Sequence, residues 1–309
     1  MDIDIKTIKN ALNKHKAKKA AIQVPEGLKT RALEIADAVE KLGVETVIAA
    51  DPCFGACDIP DYQMKMLGCD IIIHFGHSQF LRRADLPVVY IEWRSGCDFV
   101  SAFKKNISEL SGFKKIGLVA AIQHAGCLEK IADILERNGI RAFIGRPKVA
   151  GYPGQILGCD LSAAEDVEDQ VECFLYAGSG RFHPFGVARI TEKPVFCLDV
   201  RKGNIFEIDD EKKKYETRLC MKKARFNEAH AVGVLVSVKK GQMRKDVFEI
   251  KSKIEKMGKK AYVISMDYIS PDKILGMKFD ILVNTACPRI EDDRIFEVPV
   301  INWDNVDKV

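Results

Sequence analysis

The chain has 309 residues, of which 47% are hydrophobic and 30% are charged. This composition is typical of a folded globular protein and excludes a disordered or fibrous chain, and the length favours two or three domains over a single core. The 48 basic and 44 acidic residues leave a net charge of +4, which is too small to predict a direct nucleic-acid partner.

No segment approaches the roughly 20 apolar residues of a membrane span, and the start of the chain lacks the apolar core of a signal peptide. We therefore expect a cytoplasmic protein without a membrane partner. In such a reducing compartment, ten cysteines favour metal ligands, catalytic groups or buried apolar residues over disulfides.

One pattern occurs three times along the chain: four short β-rich runs, with an amphipathic helix after the first run. The β-rich runs of the first copy are 19–24, 44–50, 70–75 and 87–93. Those of the second copy are 116–122, 140–145, 171–177 and 194–200, and those of the third are 232–238, 260–265, 280–284 and 299–302. Such alternation predicts parallel strands joined by helical crossovers.

The predicted helices end at matching glycines, which are Gly43, Gly139 and Gly258. The third helix is predicted to bury five apolar side chains, Val247, Phe248, Ile250, Ile254 and Met257. The fourth run of each copy opens with a proline, which is tolerated at the first residue of a strand; these are Pro87, Pro194 and Pro299. The repeat predicts three homologous, Rossmann-like parallel-sheet domains, at 1–105, 106–214 and 215–309. A charged stretch at 202–230 predicts a linker helix near the second boundary.

Each copy places a cysteine in a loop that follows a strand, beside small residues or proline: Cys57, Cys159 and Cys287. Ligands of parallel α/β sheets bind beyond the carboxyl ends of the strands. Three thiolates from three loops suit a 4Fe–4S cluster that keeps one iron open to a substrate. We therefore expect the three domains to surround a central iron–sulfur site with pseudo-threefold symmetry.

Other assignments of the cysteines stay open. Structural zinc sites usually need four ligands at short paired spacings, and the sequence has no CxxC pair. The CxxxCxxC motif of standard radical enzymes is absent. Cys53 and Cys57 have its first spacing, but Pro60 occupies the position of its third cysteine. Cys53 competes with Cys57 as a ligand, and Cys127 opens a predicted helix, whose N-terminus lowers a thiol pKa. Cysteines in apolar runs are expected to be inert core residues, and these are Cys69, Cys173 and Cys197.

Three further loops contain polar groups at strand ends. The segment 178–186, GSGRFHPFG, is suited to cradle a carboxylate, a phosphate or an adenosyl group. The segment 237–242, SVKKGQ, ends in a turn before a helix. His74 and His77 lie in HFGHS, where a hydrogen-bonded structural role and a functional role are both open.

Together these motifs resemble the catalytic subunit of diphthamide synthase, the 2-(3-amino-3-carboxypropyl)histidine synthase family, in its compact archaeal form. The resemblance covers essentially the whole chain and rests on FGACD, HFGHSQF, GQILGCD, GSGRFHPFG, VSVKKGQ and NTACPRI. It implies a transferase of the noncanonical radical type. In this family a reduced 4Fe–4S cluster cleaves S-adenosylmethionine at the bond between sulfur and the γ-carbon, and the 3-amino-3-carboxypropyl radical adds to a histidine of translation elongation factor 2.

The resemblance assigns the cluster to Cys57, Cys159 and Cys287, and it implies a homodimer and an electron donor that the sequence does not identify. We expect the loops to line a pocket for the cosubstrate S-adenosylmethionine, from their position and from charge complementarity with its carboxylate. The predicted pocket residues are Gly178, Gly180, Arg181, His183, Ser237, Gln242 and Arg289. No residue is assigned a catalytic role.

Three alternatives compete with this reading. A quinolinate-synthase-like enzyme would use the open iron of a 4Fe–4S cluster as a Lewis acid. A non-enzymatic three-domain protein would use its cysteines for structure or for zinc. A degenerate partner subunit would only support electron transfer, although the presence of all three ligand cysteines argues against it.

Overall fold

The computed structural model describes residues 3–96, 99–199 and 201–306 and shows an α/β protein with three sheets. The chain divides into two compact units, Met1–Ile208 with two sheets and Asp209–Val309 with the third. In the described part of the chain, no helix combines the length and the apolar character that crossing a membrane requires.

The first sheet has four parallel strands in the order β2-β1-β3-β4. Its elements in chain order are α1 (Ile5–His15), β1 (Lys19–Gln23), α2 (Ala32–Glu40), β2 (Glu45–Ala49), α3 (Asp61–Met66), β3 (Ile71–Phe75) and β4 (Val88–Ile91). A 3₁₀ helix, Glu26–Arg31, precedes α2.

The second sheet repeats this order as β6-β5-β7-β8 and adds a fifth strand, β9, at its edge. Its elements are α4 (Phe99–Asn106), β5 (Lys115–Ala120), α5 (Leu128–Arg137), β6 (Arg141–Phe143), α6 (Ser162–Glu165), β7 (Cys173–Ala177), α7 (Phe182–Ala188), β8 (Val195–Asp199) and β9 (Asn204–Glu207). Short 3₁₀ helices lie at Ile107–Leu110, Ala125–Cys127 and Glu168–Gln170.

The third sheet has the order β11-β10-β12-β13 and lies in the second unit. Its elements are α8 (Asp209–Glu228), β10 (Ala231–Ser237), α9 (Val247–Lys256), β11 (Lys260–Met266), β12 (Ile281–Asn284), α10 (Arg289–Asp293), β13 (Val300–Asn302) and α11 (Trp303–Val306). A 3₁₀ helix lies at Pro271–Ile274.

The predicted threefold repeat of parallel strands is therefore confirmed. All twelve predicted runs contain a strand, and the charged stretch 202–230 contains the helix α8. That stretch also contains β9, which pairs antiparallel with β8 and was not predicted. The run NIFE is short and lies among charged residues, so it carries no apolar alternation by which to recognise a strand. The domain boundaries stay predictions.

The prolines before the fourth strands have the same hydrogen bond in each sheet. The carbonyl of Pro87 accepts from the Ile72 amide, that of Pro194 from Phe174 and that of Pro299 from Leu282, each at 2.9 Å. Proline loses no hydrogen bond of the sheet at this position, because its missing N–H group would lie before the first backbone hydrogen bond. Its carbonyl still accepts a hydrogen bond from the neighbouring strand.

A second repeated feature is a carboxylate directly before the third strand of each sheet. Asp70 accepts the backbone amides of Lys18 and Lys19 at 2.7 and 2.9 Å. Glu172 does the same for Lys114 and Lys115, at 2.6 and 3.3 Å. Asp280 does so for His230 and Ala231, at 2.9 and 2.8 Å. The carboxylate pins the start of the central strand to the strand beside it in all three sheets.

Apolar clusters cover both faces of each sheet. In the first sheet, Ile73 packs with α1 and α2 on one face, whereas Ile72 packs with Met64 on the other. Burial on both faces explains why these strands have continuous apolar sequences. In the third sheet, Val247, Ile250 and Ile254 are buried as predicted.

For two of the five apolar residues predicted on the buried face of α9, the prediction of burial is wrong. Phe248 is 73% exposed and Met257 is 50% exposed. Phe248 lies about 100° around the helix from Val247, outside the stripe formed by residues three and four apart. Met257 follows the last residue of α9.

We expect Gly117→Ala to lower the free energy of unfolding by about 1–3 kcal/mol, because the new methyl overpacks a full core. A Cβ on Gly117, in β5, would lie 2.6 Å from the ring of Phe174. Gly112→Ala is the matched control, since a Cβ there meets nothing within 4 Å. Urea titration followed by circular dichroism measures both, and equal stability of the two variants would contradict the packing argument.

We expect Asp70→Asn to lower the midpoint of thermal unfolding at neutral pH by about 2 °C, a small effect because the carboxylate is exposed. The hydrogen bonds from the Lys19 and Lys18 amides hold the pKa of Asp70 below its usual value. Their contribution is therefore complete above the unfolded pKa of about 3.9 and is lost as pH falls through the folded pKa. Melting curves at pH 7 and pH 3 should show the variant's deficit shrinking in acid; a constant deficit would contradict the linkage. Asp37→Asn, at an exposed position of α2, is the control.

Candidate metal centre

The three predicted ligand cysteines all lie in loops beyond the carboxyl ends of strands. Cys57 lies between β2 and α3 and is half-buried, and Cys159 lies in the long loop between β6 and α6 and is exposed. Both belong to the first unit. Cys287 lies between β12 and α10 in the second unit and is half-buried.

A tight turn presents Cys57. The amide of Asp58 donates to the carbonyl of Gly55 at 3.1 Å and closes the turn around the cysteine. A Cβ on Gly55 would lie 3.4 Å from the Cys57 sulfur, so glycine leaves space beside the thiol. The buried amide of Gln23, the last residue of β1, donates from Nε2 to the Asp58 carbonyl at 2.6 Å.

The residue after Cys159 holds its loop in place. Asp160 is buried and accepts the backbone amides of Val149 and Ala150 at 2.9 and 2.8 Å, and the Ser162 hydroxyl donates to its other oxygen at 2.5 Å. Burial acts to raise the pKa of Asp160, but the bonds from Ser162 and the two amides outweigh it and lower the pKa below its usual value. The carboxylate is therefore charged and fixes the loop from within.

A buried amide has the same role beside Cys287. Asn284, the last residue of β12, donates from Nδ2 to the Cys287 carbonyl at 2.9 Å. Its carbonyl oxygen accepts the Ala286 amide at 3.1 Å, and its amide also reaches Asn302 Oδ1 at 2.6 Å. Asn284 thus fixes both the start and the middle of the cysteine turn.

Sequence reasoning missed these three bracing residues, Gln23, Asp160 and Asn284. Their signal was present, because each is a polar residue at the end of an apolar run or directly after a ligand cysteine. Buried polar groups require partners, and a backbone carbonyl or amide of the next loop is the nearest one. A polar residue closing a buried strand therefore indicates a braced loop.

Most of the other cysteines in the described part of the chain are buried. Cys53 is fully buried, and its thiol donates to the Gly55 carbonyl at 3.7 Å. The helix start at Cys127, one of the assignments left open, does not give a reactive thiol: burial raises its pKa to about 11, and its thiol donates to the His124 carbonyl at 2.9 Å. Burial raises the pKa of Cys69, and it raises those of Cys173 and Cys197 to about 12, in agreement with their prediction as inert core residues.

His74, which is buried in β3, and His77, which is partly buried in the loop after it, form a hydrogen-bonded pair. His74 Nδ1 lies 2.7 Å from Gln23 Oε1, and His74 Nε2 lies 2.9 Å from His77 Nδ1. Burial lowers the pKa of His74 to about 3 and that of His77 to about 4, so both rings are neutral at physiological pH. One donor atom each of Cys53, His74 and His77 lie within 4.8 Å of one another, which makes them a second group able to hold a metal.

The predicted pocket residues of the second sheet lie in the turn from β7 to α7 and in the first turn of α7. Gly180 has φ +80°, a conformation that favours glycine, and a Cβ on Gly178 would lie 2.6 Å from the Tyr176 ring. The Arg181 guanidinium lies 5.1 Å from the Phe206 ring, and the His183 ring stacks 6.1 Å from that of Tyr176.

This turn contacts the loop of Cys159. A Cβ on Gly158 would lie 2.5 Å from the ring of Phe182, so glycine is the residue that allows this approach. Within the first unit, the predicted cosubstrate turn and the predicted ligand loop are therefore packed against each other.

The predicted pocket residues of the third sheet lie at the carboxyl edge of β10 and after β12. Ser237 is buried at the end of β10, and its hydroxyl accepts the Lys239 amide at 3.3 Å. Gln242 lies in the following turn, where its backbone amide donates to the Lys239 carbonyl. Arg289 pairs with Asp293 at 3.0 Å on α10.

A cavity of about 670 Å³ opens beside the second sheet, lined among others by Arg94, His124 and Tyr152. Arg94 stacks over the Tyr152 ring at 4.4 Å, and the buried Nδ1 of His124 has no hydrogen-bond partner. Burial lowers the pKa of His124 to about 4. The described lining includes none of the residues predicted to hold S-adenosylmethionine.

The residues present fit an iron–sulfur cluster. Cys57, Cys159 and Cys287 are at least partly exposed, whereas the core cysteines are buried. Each lies in a loop whose backbone is braced by a buried polar side chain. Cys thiolates are the usual ligands of such clusters.

Comparison with known proteins gives a consistent result. The family model of diphthamide synthesis proteins matches residues 24–306. The 2-(3-amino-3-carboxypropyl)histidine synthase of Pyrococcus horikoshii is 34% identical over 92% of this chain and 83% of that protein. The enzyme of the same name from Methanocaldococcus jannaschii is 31% identical over 96% of this chain and 85% of that protein.

The fold agrees as well. The crystal structure of Dph2 from Pyrococcus horikoshii superposes with a TM-score of 0.93 at 32% identity, covering 100% of this chain and 90% of that one. A second structure of the same protein contains a 4Fe–4S cluster, with the same score and coverage. The chain therefore belongs to the diphthamide synthesis protein family and is a transferase, as its motifs predicted.

Proposed function

We propose that this protein transfers the 3-amino-3-carboxypropyl group of S-adenosylmethionine to a histidine of translation elongation factor 2, the first step of diphthamide biosynthesis. The observation that carries the proposal is the placement of Cys57, Cys159 and Cys287, one in a braced loop at the carboxyl edge of each sheet. The names of the archaeal relatives and the cluster in the Dph2 structure support it.

The three cysteines would each hold one iron of a 4Fe–4S cluster. We assign them to three domains, 1–105, 106–214 and 215–309, in a pseudo-threefold arrangement around that centre. When bound, the reduced cluster supplies the electron that breaks the bond between sulfur and the γ-carbon, with S-adenosylmethionine at its open iron. The set of three thiols supports this proposal because a fourth protein ligand would close the iron that the cosubstrate needs.

The chain's own residues would bind and orient the cosubstrate. The backbone of Gly178 and Gly180 offers close approach to a bulky group, beside Arg181 and His183. Arg289 suits the methionine carboxylate, for which it would exchange its partner Asp293. Ser237 and Gln242 would add hydrogen bonds from the third sheet.

The chemistry also implies further partners. The transfer needs elongation factor 2 as protein substrate and a reductant for the cluster, whose identity the structure does not specify. We propose a homodimer in the cytoplasm. A quinolinate-synthase-like activity loses its support because the family model and the two archaeal relatives described above concern diphthamide synthesis, and a non-enzymatic role is wrong for the same reason.

We expect the reduced, reconstituted protein to convert S-adenosylmethionine to methylthioadenosine and to add the aminocarboxypropyl mass to elongation factor 2. The nucleoside is identified by chromatography and the modified histidine by peptide mass spectrometry. Deoxyadenosine as the product would contradict the proposed bond cleavage. A reducible cluster that leaves S-adenosylmethionine intact would contradict the function as a whole.

We expect Cys57→Ala, Cys159→Ala and Cys287→Ala each to abolish methylthioadenosine formation and to lower the iron content, because each removes one of three cluster ligands. Cys220→Ala, at an exposed position of α8, is the matched control and should retain full activity. Cys53→Ala should retain iron and activity, since Cys53 is fully buried. Iron loss on Cys53→Ala but not on Cys57→Ala would reverse the assignment.

A further inference from the structure

A chain of buried polar groups leads from the turn of Cys57 into the first sheet. Gln23 and His74 are paired neighbours on adjacent strands, β1 and β3, in the register of the sheet. Gln23 is 3% exposed and His74 is 0% exposed. Polar side chains so deeply buried need hydrogen-bond partners inside the protein.

The orientation of the Gln23 amide follows from its two partners. Its nitrogen lies 2.6 Å from the Asp58 carbonyl, which can only accept, so this end must be the NH₂ group. The amide oxygen is then the end that faces His74 Nδ1 at 2.7 Å, and it can only accept. The proton in that hydrogen bond therefore belongs to His74 Nδ1.

The tautomers of both histidines follow in turn. A neutral His74 that carries its proton on Nδ1 has a lone pair on Nε2. His77 Nδ1, at 2.9 Å, is then the donor to that lone pair. All three hydrogen bonds therefore run in one direction, from His77 through His74 and Gln23 to the Asp58 carbonyl in the turn. Hydrogen bonds aligned in this way strengthen one another.

We propose that Gln23 and His74 are positioning residues for the proposed cluster ligand Cys57, with His77 completing the hydrogen-bonded chain that holds its turn. This inference rests on the proposed function. The turn is fixed at its far end by Gln23, and Glu26 holds its near end by accepting the Cys53 amide at 3.3 Å. With both ends fixed, the Cys57 thiol keeps its direction before iron is bound.

The same atoms argue against a separate metal site. The donor atoms of Cys53, His74 and His77 lie close enough to share an ion. The lone pair of His74 Nε2, however, already accepts the proton of His77 Nδ1. A metal would have to displace that proton and break the aligned chain. The structure therefore assigns the histidine pair to support rather than to coordination.

The test compares Gln23→Leu with the wild-type protein. Leucine has a similar volume but no donor, so the turn loses its bond to the sheet. In cluster-free full-length protein, we expect maleimide to alkylate Cys57 several-fold faster relative to the exposed Cys220, which serves as an internal reference. In reconstituted protein, we expect about 10-fold faster iron release to a chelator, the usual cost of removing a group that orients a metal ligand. The g-values of the reduced cluster should shift as well.

Two variants separate positioning from general loss of stability. His74→Asn keeps an amide donor toward Gln23 and should remain near the wild type in all three measurements, whereas His74→Leu should resemble Gln23→Leu. Ile73→Val, one residue away in the core of β3, should lower the melting temperature without altering alkylation, iron release or g-values.

Several outcomes would overturn the inference. Wild-type behaviour of Gln23→Leu, or equal effects of Ile73→Val, would reduce Gln23 to an ordinary core residue. One equivalent of Co²⁺ bound by cluster-free protein, and lost on both His74→Asn and Cys53→Ala, would make the histidine pair a metal site. A wild-type protein that accepts no cluster would refute the proposed function, and this inference with it; a normal wild-type cluster with an unaffected Gln23→Leu would refute the inference alone.

Discussion

The structure depends on how the ends of its parallel strands are hydrogen-bonded. At the ends of a strand, some backbone N–H and C=O groups have no hydrogen-bond partner in the sheet. A loop made of small residues has no side chains that could serve as partners. At the amino edge, Asp70, Glu172 and Asp280 fill this need with a carboxylate. At the other edge, Gln23 and Asn284 fill it with an amide, and both bind the backbone at a predicted ligand cysteine or at the residue after it. Fold and site are thus stabilised by one kind of interaction, applied at opposite ends of the sheets.

Much of the fold could be predicted because each sheet repeats the same sequence pattern. Apolar runs buried on both faces, helix-ending glycines and Pro-Val openings all report local physical requirements, which a sequence displays directly. The strand β9 could not be predicted because antiparallel pairing with β8 depends on a partner that its own residues do not specify. Phe248 was placed wrongly because hydrophobicity alone does not show on which side of a helix a side chain lies.

For the candidate site, the sequence predicted the positions of the loops but not the contacts that hold them. The cysteine loops were found from their position after strands, and the family motifs agreed with that position. What could not be predicted was how the loops are held, because the bonds of Gln23 and Asp160 join residues that only the folded chain brings together. Cys127 shows that a helix start alone does not predict a reactive thiol, because burial raises its pKa.

The carboxylates at the amino edges also bear on how the protein folds. Each one bridges chain positions separated by 49 to 58 residues, and all of these lie inside a single sheet. Long-range contacts of this kind bring together the central and third strands, the pair on which the rest of each sheet is built. Every sheet therefore carries its own closing contact, and partial structures should appear in hydrogen exchange as whole sheets rather than as single strands. A chain with three such sheets can begin to fold at any of them during synthesis.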